Sequence, residues 1–520
     1  MASEKLTTEK KSYVGNGVKR LTFAGIAVIL QVFWIYVIIR YTGRNSALWS
    51  QIVQIIAFLL VLHVYGKEMN ATLKMPWIIL ISIFPLLGTM LYFSVGLSGS
   101  TKRMRERFIK IDEAMFPCLP QNEKVLADLK KFDEAAYSES FYLSDHVHFP
   151  VYNNTQIKYY SDALLGLEAQ LEDLKKAKSF IFMEYHAIEV ATAFERIEKV
   201  LVEKVKEGVE VRLFYDDVGS IGFINEDFVT RMEEKGIQCR CFNPVIPFAN
   251  VFLNNRDHRK ITVIDGTIGY TGGYNLADEY FGYKHPYGEW KDTGVRLEGE
   301  AVHSLTAMFL EMWNAIHATD KDDTEVEFFF PKCKSEGYHG YIQPYADSPL
   351  DFEHVGENVY LNLIGASRRY IYFITPYLII DDEMIKAFTL AAKRGVDVRI
   401  ITPGIPDKKM VNDMTKSYYY PLCKSGVRIY EFTPGFCHAK MCICDDMLAT
   451  CGTINLDYRS FYHHFENGVL MIDSEVIADI KKDFEETFTR CNEVTQEYAS
   501  NSKRHVMILQ NLVKLAAPLL

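Results

Sequence analysis

A histidine and a lysine two residues apart, His258 and Lys260, open a stretch whose residue types suit chemistry at phosphorus. An unprotonated imidazole nitrogen can act as a nucleophile or a general base, and an ammonium group beside it can neutralise charge on phosphoryl oxygens. Because residues two apart in a strand point to the same face, both side chains reach one place. The same pair recurs as His438 and Lys440. The chain therefore carries two copies of one candidate catalytic pair.

Each copy continues in the same way. An aspartate follows seven residues after the histidine, at Asp265 and Asp445, and a Gly-small-x-Asn turn then ends at Asn275 and Asn455. The asparagine amides are candidate phosphate-binding groups. The aspartates complete the candidate catalytic motif, but their odd offset puts them on the opposite face of the strand, so we expect them to be structural partners. A purely structural role would not require these residue types at one register in both copies.

A catalytic histidine needs an acceptor that fixes its tautomer and stabilises its imidazolium form. Asp292 and Glu466 open matching strands in the two copies and are the candidates for this orienting role. If the two halves pack with pseudo-two-fold symmetry, both His-Lys pairs meet in one site. One histidine then attacks phosphorus while the other protonates the leaving alcohol, and the roles reverse in the second step.

The elements that position these residues alternate apolar strands with amphipathic helices from about residue 141, a pattern typical of a layered α/β domain. The alternation occurs twice, since residues 207–217 match residues 394–404 and residues 292–299 match residues 466–473. The sequence therefore predicts an α/β fold made of two fused repeats, 141–325 and 326–520, packed with pseudo-two-fold symmetry.

The first hundred residues are of a different kind. A basic tail, residues 1–20, precedes three apolar stretches, of which the first and third carry no charge and are long enough to cross a ~30 Å hydrocarbon core. We predict transmembrane helices within residues 21–99, at about 21–41, 46–65 and 76–98. A basic juxtamembrane linker, residues 100–140, follows. Lysine and arginine counts on the two sides of these spans are equal, so the charge rule leaves the orientation open.

Composition narrows the possible partners. Hydrophobic residues make up 48% of the chain, as in an ordinary folded protein, and the net charge of -10 would repel nucleic acid. The ten cysteines are scattered without a paired framework, which suits a reducing compartment, and we expect no metal site among them.

The duplicated pattern of His-x-Lys, Asp and Gly-x-x-Asn resembles that of the phospholipase D superfamily. Within it the chain is most similar to the membrane-anchored bacterial cardiolipin synthases. Residues 77–96 resemble the second helix of their N-terminal membrane hairpin, and Tyr341–Pro349 resembles the segment that opens their second half. Gly273 and Thr453 depart from the pattern, because serine is frequent at both positions.

The resemblance implies a reaction in which phosphatidylglycerol donates its phosphatidyl group to one histidine and releases glycerol. A second phosphatidylglycerol then accepts the group, giving cardiolipin through a phosphohistidine intermediate. His258 would be the nucleophile and His438 the acid and base, without a metal or organic cofactor. The phosphate would be held by Lys260, Lys440, Asn275 and Asn455.

The resemblance further implies a multi-pass protein of the cell membrane, with the catalytic body on the cytoplasmic face. Its partners would be phosphatidylglycerol, as donor and acceptor, and membrane lipid, with no nucleic acid; the oligomeric state stays open. The aromatic stretch Tyr280–Trp290 is a candidate lining for the acceptor entrance.

Two alternatives use the same residues. A phospholipase D-type hydrolase would admit water in the second step, and another phosphatidyltransferase would use a different alcohol acceptor. A nuclease is disfavoured by the apolar spans and the acidic charge. A catalytically silent scaffold would show decay of at least one motif, and neither motif is decayed.

Overall fold

The computed structural model describes residues 47–93, 99–244, 255–316, 326–333, 338–351 and 353–500, together with residues 29, 33, 36 and 514. It begins with the helices α1 (Ala47–Tyr65), α2 (Ala71–Ile83) and α3 (Pro85–Leu91). An apolar cluster packs α1 against α2 and Tyr92. Asn70 caps α2, since its side chain accepts a hydrogen bond from the backbone N–H of Thr72 at 2.9 Å. Helix α2 ends at Phe84 because Pro85 disfavours the helical conformation in the residue before it.

The sequence predicts a single helix over residues 76–98, but the helix breaks at Phe84. The prediction rests on the apolar character of the stretch and gives no weight to Pro85 within it. Within the described part of the chain, no helix combines the length and the apolarity needed to cross a membrane. The first predicted span, residues 21–41, lies outside the described residues except for Ile29, Phe33 and Tyr36.

The basic linker folds into helices that pack on the body: α4 (Gly99–Met115), α5 (Glu123–Phe132) and α6 (Glu134–Phe141). The Arg107 guanidinium donates to the backbone carbonyls of Asn314, at 2.5 Å, and Ala315, at 3.2 Å. The buried ring of Phe108 stacks on Phe465 with centroids 5.1 Å apart. Part of this basic run therefore holds the N-terminal helices against the body.

Nine strands come from the first repeat: β1 (Thr155–Tyr160), β2 (Phe180–Tyr185), β3 (Glu210–Asp216), β4 (Gln238–Phe242), β5 (Arg256–Asp257), β6 (Lys260–Ile264), β7 (Ile268–Gly272), β8 (Glu289–Lys291) and β9 (Gly294–Gly299). Seven of them form a sheet in the order β1-β9-β7-β6-β2-β3-β4, in which β2, β3 and β4 are parallel. Parallel neighbours need crossover helices. The helices of this repeat are α7 (Ala163–Leu174), α8 (Thr192–Lys206), α9 (Asp217–Ser220), α10 (Phe228–Glu234) and α11 (Val302–Ile316).

The second repeat has eleven strands among the described residues: β10 (Tyr341–Asp347), β11 (Tyr370–Ile374), β12 (Leu378–Ile379), β13 (Asp397–Pro403), β14 (Arg428–Phe432), β15 (Gly435–Cys437), β16 (Met441–Cys444), β17 (Leu448–Gly452), β18 (Leu456–Asp457), β19 (His464–Ile472) and β20 (Cys491–Glu493). Its sheet runs β10-β19-β17-β16-β11-β13-β14-β20. Its helices are α12 (Val355–Ala366), α13 (Asp382–Lys393), α14 (Lys409–Ser417), α15 (Tyr419–Lys424), α16 (Tyr458–Tyr462), α17 (Val476–Thr489) and α18 (Thr495–Ala499).

Position by position, the first seven strands of the second sheet repeat the order of the first. In both sheets the strand that follows the motif histidine lies in the middle, beside the first parallel strand. The predicted α/β class and its internal repeat are confirmed by this topology. The N-terminal spans within the predicted fold class stay a prediction.

Candidate functional site

Two short strand pairs join the repeats where the motifs begin. Strand β5, just before His258, pairs with the start of β19 in the second repeat, and β15, just before His438, pairs with β8 in the first. The backbone N–H of His258 donates to the Phe465 carbonyl at 2.9 Å, and that of His438 donates to the Lys291 carbonyl at 2.7 Å. Both motif histidines therefore lie at the boundary between the repeats, in equivalent settings.

Each histidine is hydrogen-bonded to a carboxylate of the other repeat. The Nδ1 atom of His258 lies 2.9 Å from both oxygens of Glu466, and the Nδ1 atom of His438 lies 2.7 Å from Asp292 Oδ2. Both carboxylates are buried, and each histidine is 7% exposed. A carboxylate at Nδ1 holds the proton on that nitrogen, so Nε2 of each ring is left for chemistry.

The two lysines are buried beside the histidines. The Lys260 ammonium donates to the His258 carbonyl at 2.6 Å, and Lys440 donates to the His438 carbonyl and lies 3.0 Å from His438 Nε2. Burial lowers the pKa of Lys260 to about 8 and that of Lys440 to about 7. An anion between these ammonium groups would stabilise their charged form, as a phosphodiester does.

Burial and the nearby cations keep both imidazoles unprotonated. Burial, Lys260 and Lys440 hold the pKa of His258 well below its ordinary value. Burial and Lys440 lower the pKa of His438 to about 4, against the opposing effect of Asp292. Near neutral pH both rings are therefore neutral in the free protein, which a nucleophilic nitrogen requires.

The two asparagines differ in their bonding. Asn275 accepts a hydrogen bond from the backbone N–H of Ala187, at 3.2 Å, and donates to the Tyr280 hydroxyl, at 2.8 Å. The buried Oδ1 atom of Asn455 has no hydrogen-bond partner among the described residues. Of the two, Asn455 has the greater capacity left for a ligand.

The two departures from serine have different structural reasons. A Cβ atom added to Gly273 would lie 2.1 Å from Asp292 Oδ1, so any side chain there would displace the orienting carboxylate. The Thr453 hydroxyl instead donates to Glu466 Oε2 at 2.5 Å. The hydroxyl in the second repeat thus helps to hold the partner of His258.

Asp265 and Asp445 lie away from the histidines, at the far ends of the strands that follow them. Asp445 accepts hydrogen bonds from the backbone N–H groups of Arg368, Arg369 and Tyr370 at 2.6–2.8 Å. Asp265 does the same for Lys178, Ser179 and Phe180 at 2.7–3.0 Å. This geometry fits the structural role expected from their offset, and their place in the candidate catalytic set stays a prediction.

We expect Asp445→Ala to lower the free energy of unfolding by about 1–3 kcal/mol, because three N–H groups lose their acceptor. Asp445→Asn should cost less, since asparagine keeps one acceptor oxygen and tolerates the positive φ of 53° at this position. Thermal unfolding would measure both changes. The kcat of the folded protein should stay within about twofold of the parent. A large fall in kcat at unchanged stability would return Asp445 to the chemistry.

Aromatic side chains surround His438. Its ring centroid lies 5.2 Å from Tyr280, 5.5 Å from Trp290 and 5.9 Å from Phe436. Tyr280 and Trp290 belong to the aromatic stretch that the sequence offers as the acceptor lining. This flank of the site is apolar, so a water molecule there is poorly stabilised.

The flank of His258 is lined by imidazole and guanidinium side chains. The rings of His186 and His464 lie 5.0 and 5.4 Å from that of His258, and Arg459 Nε lies 3.3 Å from His464 Nε2. Arg256 is buried at the start of β5, where its guanidinium donates to Asp216 Oδ2 at 2.8 Å. Among the residues that lower the pKa of His258, Arg459 contributes its positive charge.

The aromatic flank of His438 and the flank of His258 are built from equivalent positions in the two repeats. Phe436 pairs with Trp290 across β15 and β8, and Arg256 pairs with His464 across β5 and β19. Sequence reasoning missed Arg256, His464, His186 and Arg459. The first two could have been found by comparing the repeats two residues before each motif histidine and each carboxylate. His186 lies in the loop after β2 and Arg459 on helix α16, and only the fold brings both to the site.

In the described part of the chain, one group has ligand atoms within 4.8 Å of one another, as a metal site would: His258, His464 and Glu466. A metal ion there would engage the carboxylate that hydrogen-bonds to His258. The hydrogen-bonded histidine and carboxylate already account for most of this proximity.

Comparisons with known proteins agree with the internal repeat. The sequence profile of the family described as "Cardiolipin synthase, PLD-like domain" matches residues 171–313 and 360–488, one stretch in each repeat. An uncharacterized protein of Streptococcus mutans is 42% identical over 465 residues, which cover 88% of this chain and 99% of that protein. "Cardiolipin synthase 2" of Bacillus cereus is 32% identical over 470 residues, which cover 89% of this chain and 90% of that protein.

Among solved structures, the phosphatidylserine synthase of Haemophilus influenzae Rd KW20 aligns with a TM-score of 0.52. The alignment covers 70% of this chain and 93% of that chain at 14% sequence identity. At this identity the likeness concerns the fold alone.

Proposed function

Because the chain belongs to the cardiolipin synthase family with the PLD-like domain, we propose that its paired histidines transfer a phosphatidyl group from one phosphatidylglycerol to a second, giving cardiolipin and glycerol. The chain is an enzyme, a phosphatidyltransferase, and cardiolipin synthase is the activity that its relatives support. Its substrates are phospholipids; the choice of phosphatidylglycerol as both donor and acceptor is our proposal.

One observation carries the mechanism: each histidine is oriented by a carboxylate from the opposite repeat, so both rings offer Nε2 to one buried site. In the first step, His258 Nε2 forms a bond to the donor phosphorus and the bond from phosphorus to the glycerol oxygen breaks. His438 gives its Nε2 proton to that oxygen. In the second step, His438 takes the proton of the acceptor hydroxyl, whose oxygen bonds to phosphorus and releases His258.

The charges around the rings support this division of roles. Arg459 and both lysines disfavour the protonated form of His258, as suits a nucleophile. Asp292 partly offsets the effect of burial on His438, which must carry a proton in the first step. The negative charge of the bound phosphodiester would raise the pKa of His438, so proton uptake accompanies substrate binding. We infer that the phosphate oxygens are held by Lys260, Lys440, Asn275 and Asn455.

The test uses purified full-length protein in detergent micelles, with phosphatidylglycerol as the sole lipid. We expect cardiolipin and glycerol in equal molar amounts by mass spectrometry. Glycerol with phosphatidic acid and no cardiolipin would identify a hydrolase. Product formation only after another alcohol is added would identify a different acceptor.

The aromatic flank beside His438 supports transfer over hydrolysis. His438 is the proposed acid and base, so the alcohols leave and enter beside it, where the apolar rings disfavour water. We expect Trp290→Ala to lower the ratio of cardiolipin to phosphatidic acid about tenfold, equal to about 1.4 kcal/mol between the two barriers. Trp290→Phe keeps an aromatic ring and should preserve most of the ratio. An unchanged ratio in Trp290→Ala would remove this residue from the acceptor side.

We also propose that the protein works at the cell membrane, where its substrates are, with the catalytic body on the cytoplasmic face. The candidate spans of a multi-pass anchor are the uncharged stretch within residues 21–41 and the apolar helix α1 that follows it.

A further inference from the structure

The apolar segment after residue 70 folds back on itself. The ring centroids of Trp77 and Tyr92 lie 5.3 Å apart, although residues 15 apart in one straight helix are separated by about 22 Å. A Cβ atom added to Gly88 would lie 2.6 Å from the Cα atom of Ile81, so the two backbones nearly touch. Helices α2 and α3 therefore form an antiparallel hairpin.

The reversal satisfies backbone groups where the hairpin turns. The N–H of Phe84 donates to the Leu80 carbonyl at 2.9 Å, and the N–H of Gly88 donates to the Phe84 carbonyl at 2.7 Å. Pro85 has no N–H to satisfy. Such a turn can enter a hydrocarbon environment at lower cost than an open loop.

Both feet of the hairpin lie on the side of the catalytic body. At the first foot, Asn70 Nδ2 donates to Asp381 Oδ2 at 2.6 Å and to the Tyr462 hydroxyl at 2.8 Å. At the second foot, the Tyr92 ring lies 5.2 Å from the Lys67 ammonium. Helix α4 then continues onto the body through Arg107. The chain leaves the body and returns to the same side.

The hairpin is apolar at its turn and basic at its feet. Residues 76–93 carry no charge, and Ile83 and Phe84 at the turn are 63% and 54% exposed. Lys67 and Lys74 lie at the opposite end, where Lys74 donates to the Tyr65 carbonyl. Helix α2, with 13 residues, is about 20 Å long and so cannot cross a ~30 Å hydrocarbon core.

We propose that residues 71–93 form a re-entrant hairpin, which enters the lipid leaflet next to the catalytic body and returns to the same side. The Phe84–Pro85 turn lies among the acyl chains, and Lys67 and Lys74 lie at the level of anionic headgroups. The proposal takes from the proposed function only that the partner is a phospholipid bilayer. It replaces the span expected over residues 76–98.

The test introduces single cysteines into the full-length protein in sealed vesicles of phosphatidylglycerol and phosphatidylethanolamine. The positions are Glu68→Cys at the first foot, Lys110→Cys after the second, Lys393→Cys on the body and Phe84→Cys at the turn. A membrane-impermeant maleimide is added outside, and peptide mass spectrometry separates each new site from the native cysteines.

We expect Glu68→Cys, Lys110→Cys and Lys393→Cys to be labelled to the same extent, and Phe84→Cys to react only after detergent is added. Labelling of Glu68→Cys and Lys110→Cys from opposite sides would mean that the segment crosses the bilayer. Labelling of Phe84→Cys in intact vesicles at the rate of Glu68→Cys would mean that the turn stays in water. Either result overturns the proposal. Because labelling requires no turnover, these results are independent of whether cardiolipin is formed.

Discussion

Alanine in place of His258 or His438 should lower cardiolipin formation by about 10⁴–10⁶-fold, because each ring carries a bond-making or proton-transfer step that no neighbour replaces. The measurement is the initial rate of cardiolipin formation by mass spectrometry. His146→Ala is the matched control, since this histidine is exposed in the turn Tyr142–His146. Full activity in either active-site variant would refute a site shared by two histidines.

The same two variants separate the roles of the rings. With phosphatidylglycerol labelled at phosphorus, His438→Ala should retain a covalent label, because His258 can still attack phosphorus whereas the release step lacks its base. His258→Ala should retain none. Acid lability and alkali stability would identify the label as phosphohistidine. Labelling of His258→Ala, and not of His438→Ala, would reverse the assignment.

The second large effect is expected from the carboxylates. Glu466→Gln and Asp292→Asn should each lower kcat by about 10²–10⁴-fold, because an amide can donate to Nδ1 and so favour the tautomer with the proton on Nε2. That tautomer blocks His258 as a nucleophile. Steady-state kinetics in mixed micelles, with thermal unfolding to verify the fold, would measure the loss.

Asp479→Asn is the matched control for the carboxylates, since this aspartate is exposed on α17. The two active-site variants also predict different intermediates. Glu466→Gln should reduce the phosphohistidine label, whereas Asp292→Asn should slow its release. A kcat within tenfold of the parent in both variants would show that orientation through Nδ1 contributes little.

The sequence predicts much of the site because equivalent residues stand at matching positions in the two repeats. The matching positions of His258 and His438, and of Asp292 and Glu466, identify the histidines and the candidate orienting carboxylates. Which carboxylate meets which histidine could not be predicted, because the exchange depends on strands β5 and β15 crossing to the opposite repeat. From the sequence alone, each histidine would be expected to bond to the carboxylate of its own repeat.

The remaining differences arise where local pattern and tertiary structure compete. The apolar stretch over residues 76–98 reads as one span, yet Pro85 ends α2 and the close approach at Gly88 permits the return. His186 lies 72 residues before His258, in the loop after β2, and only the complete fold brings it to the site. Arg459 lies on α16, four residues after Asn455, and no feature of the motif itself indicates which way its side chain points.

The reciprocal strand pairs resemble those of a symmetric dimer, yet they join two halves of one chain. Contacts in which each half lends the same element to the other are those of a two-fold dimer of identical subunits. In such a dimer every substitution appears on both sides of the axis, so an aromatic wall and a wall of imidazole and guanidinium side chains could not coexist at one position. Because both copies lie in one chain, each position can carry a different residue in each half, as Trp290 and His464 do at equivalent places.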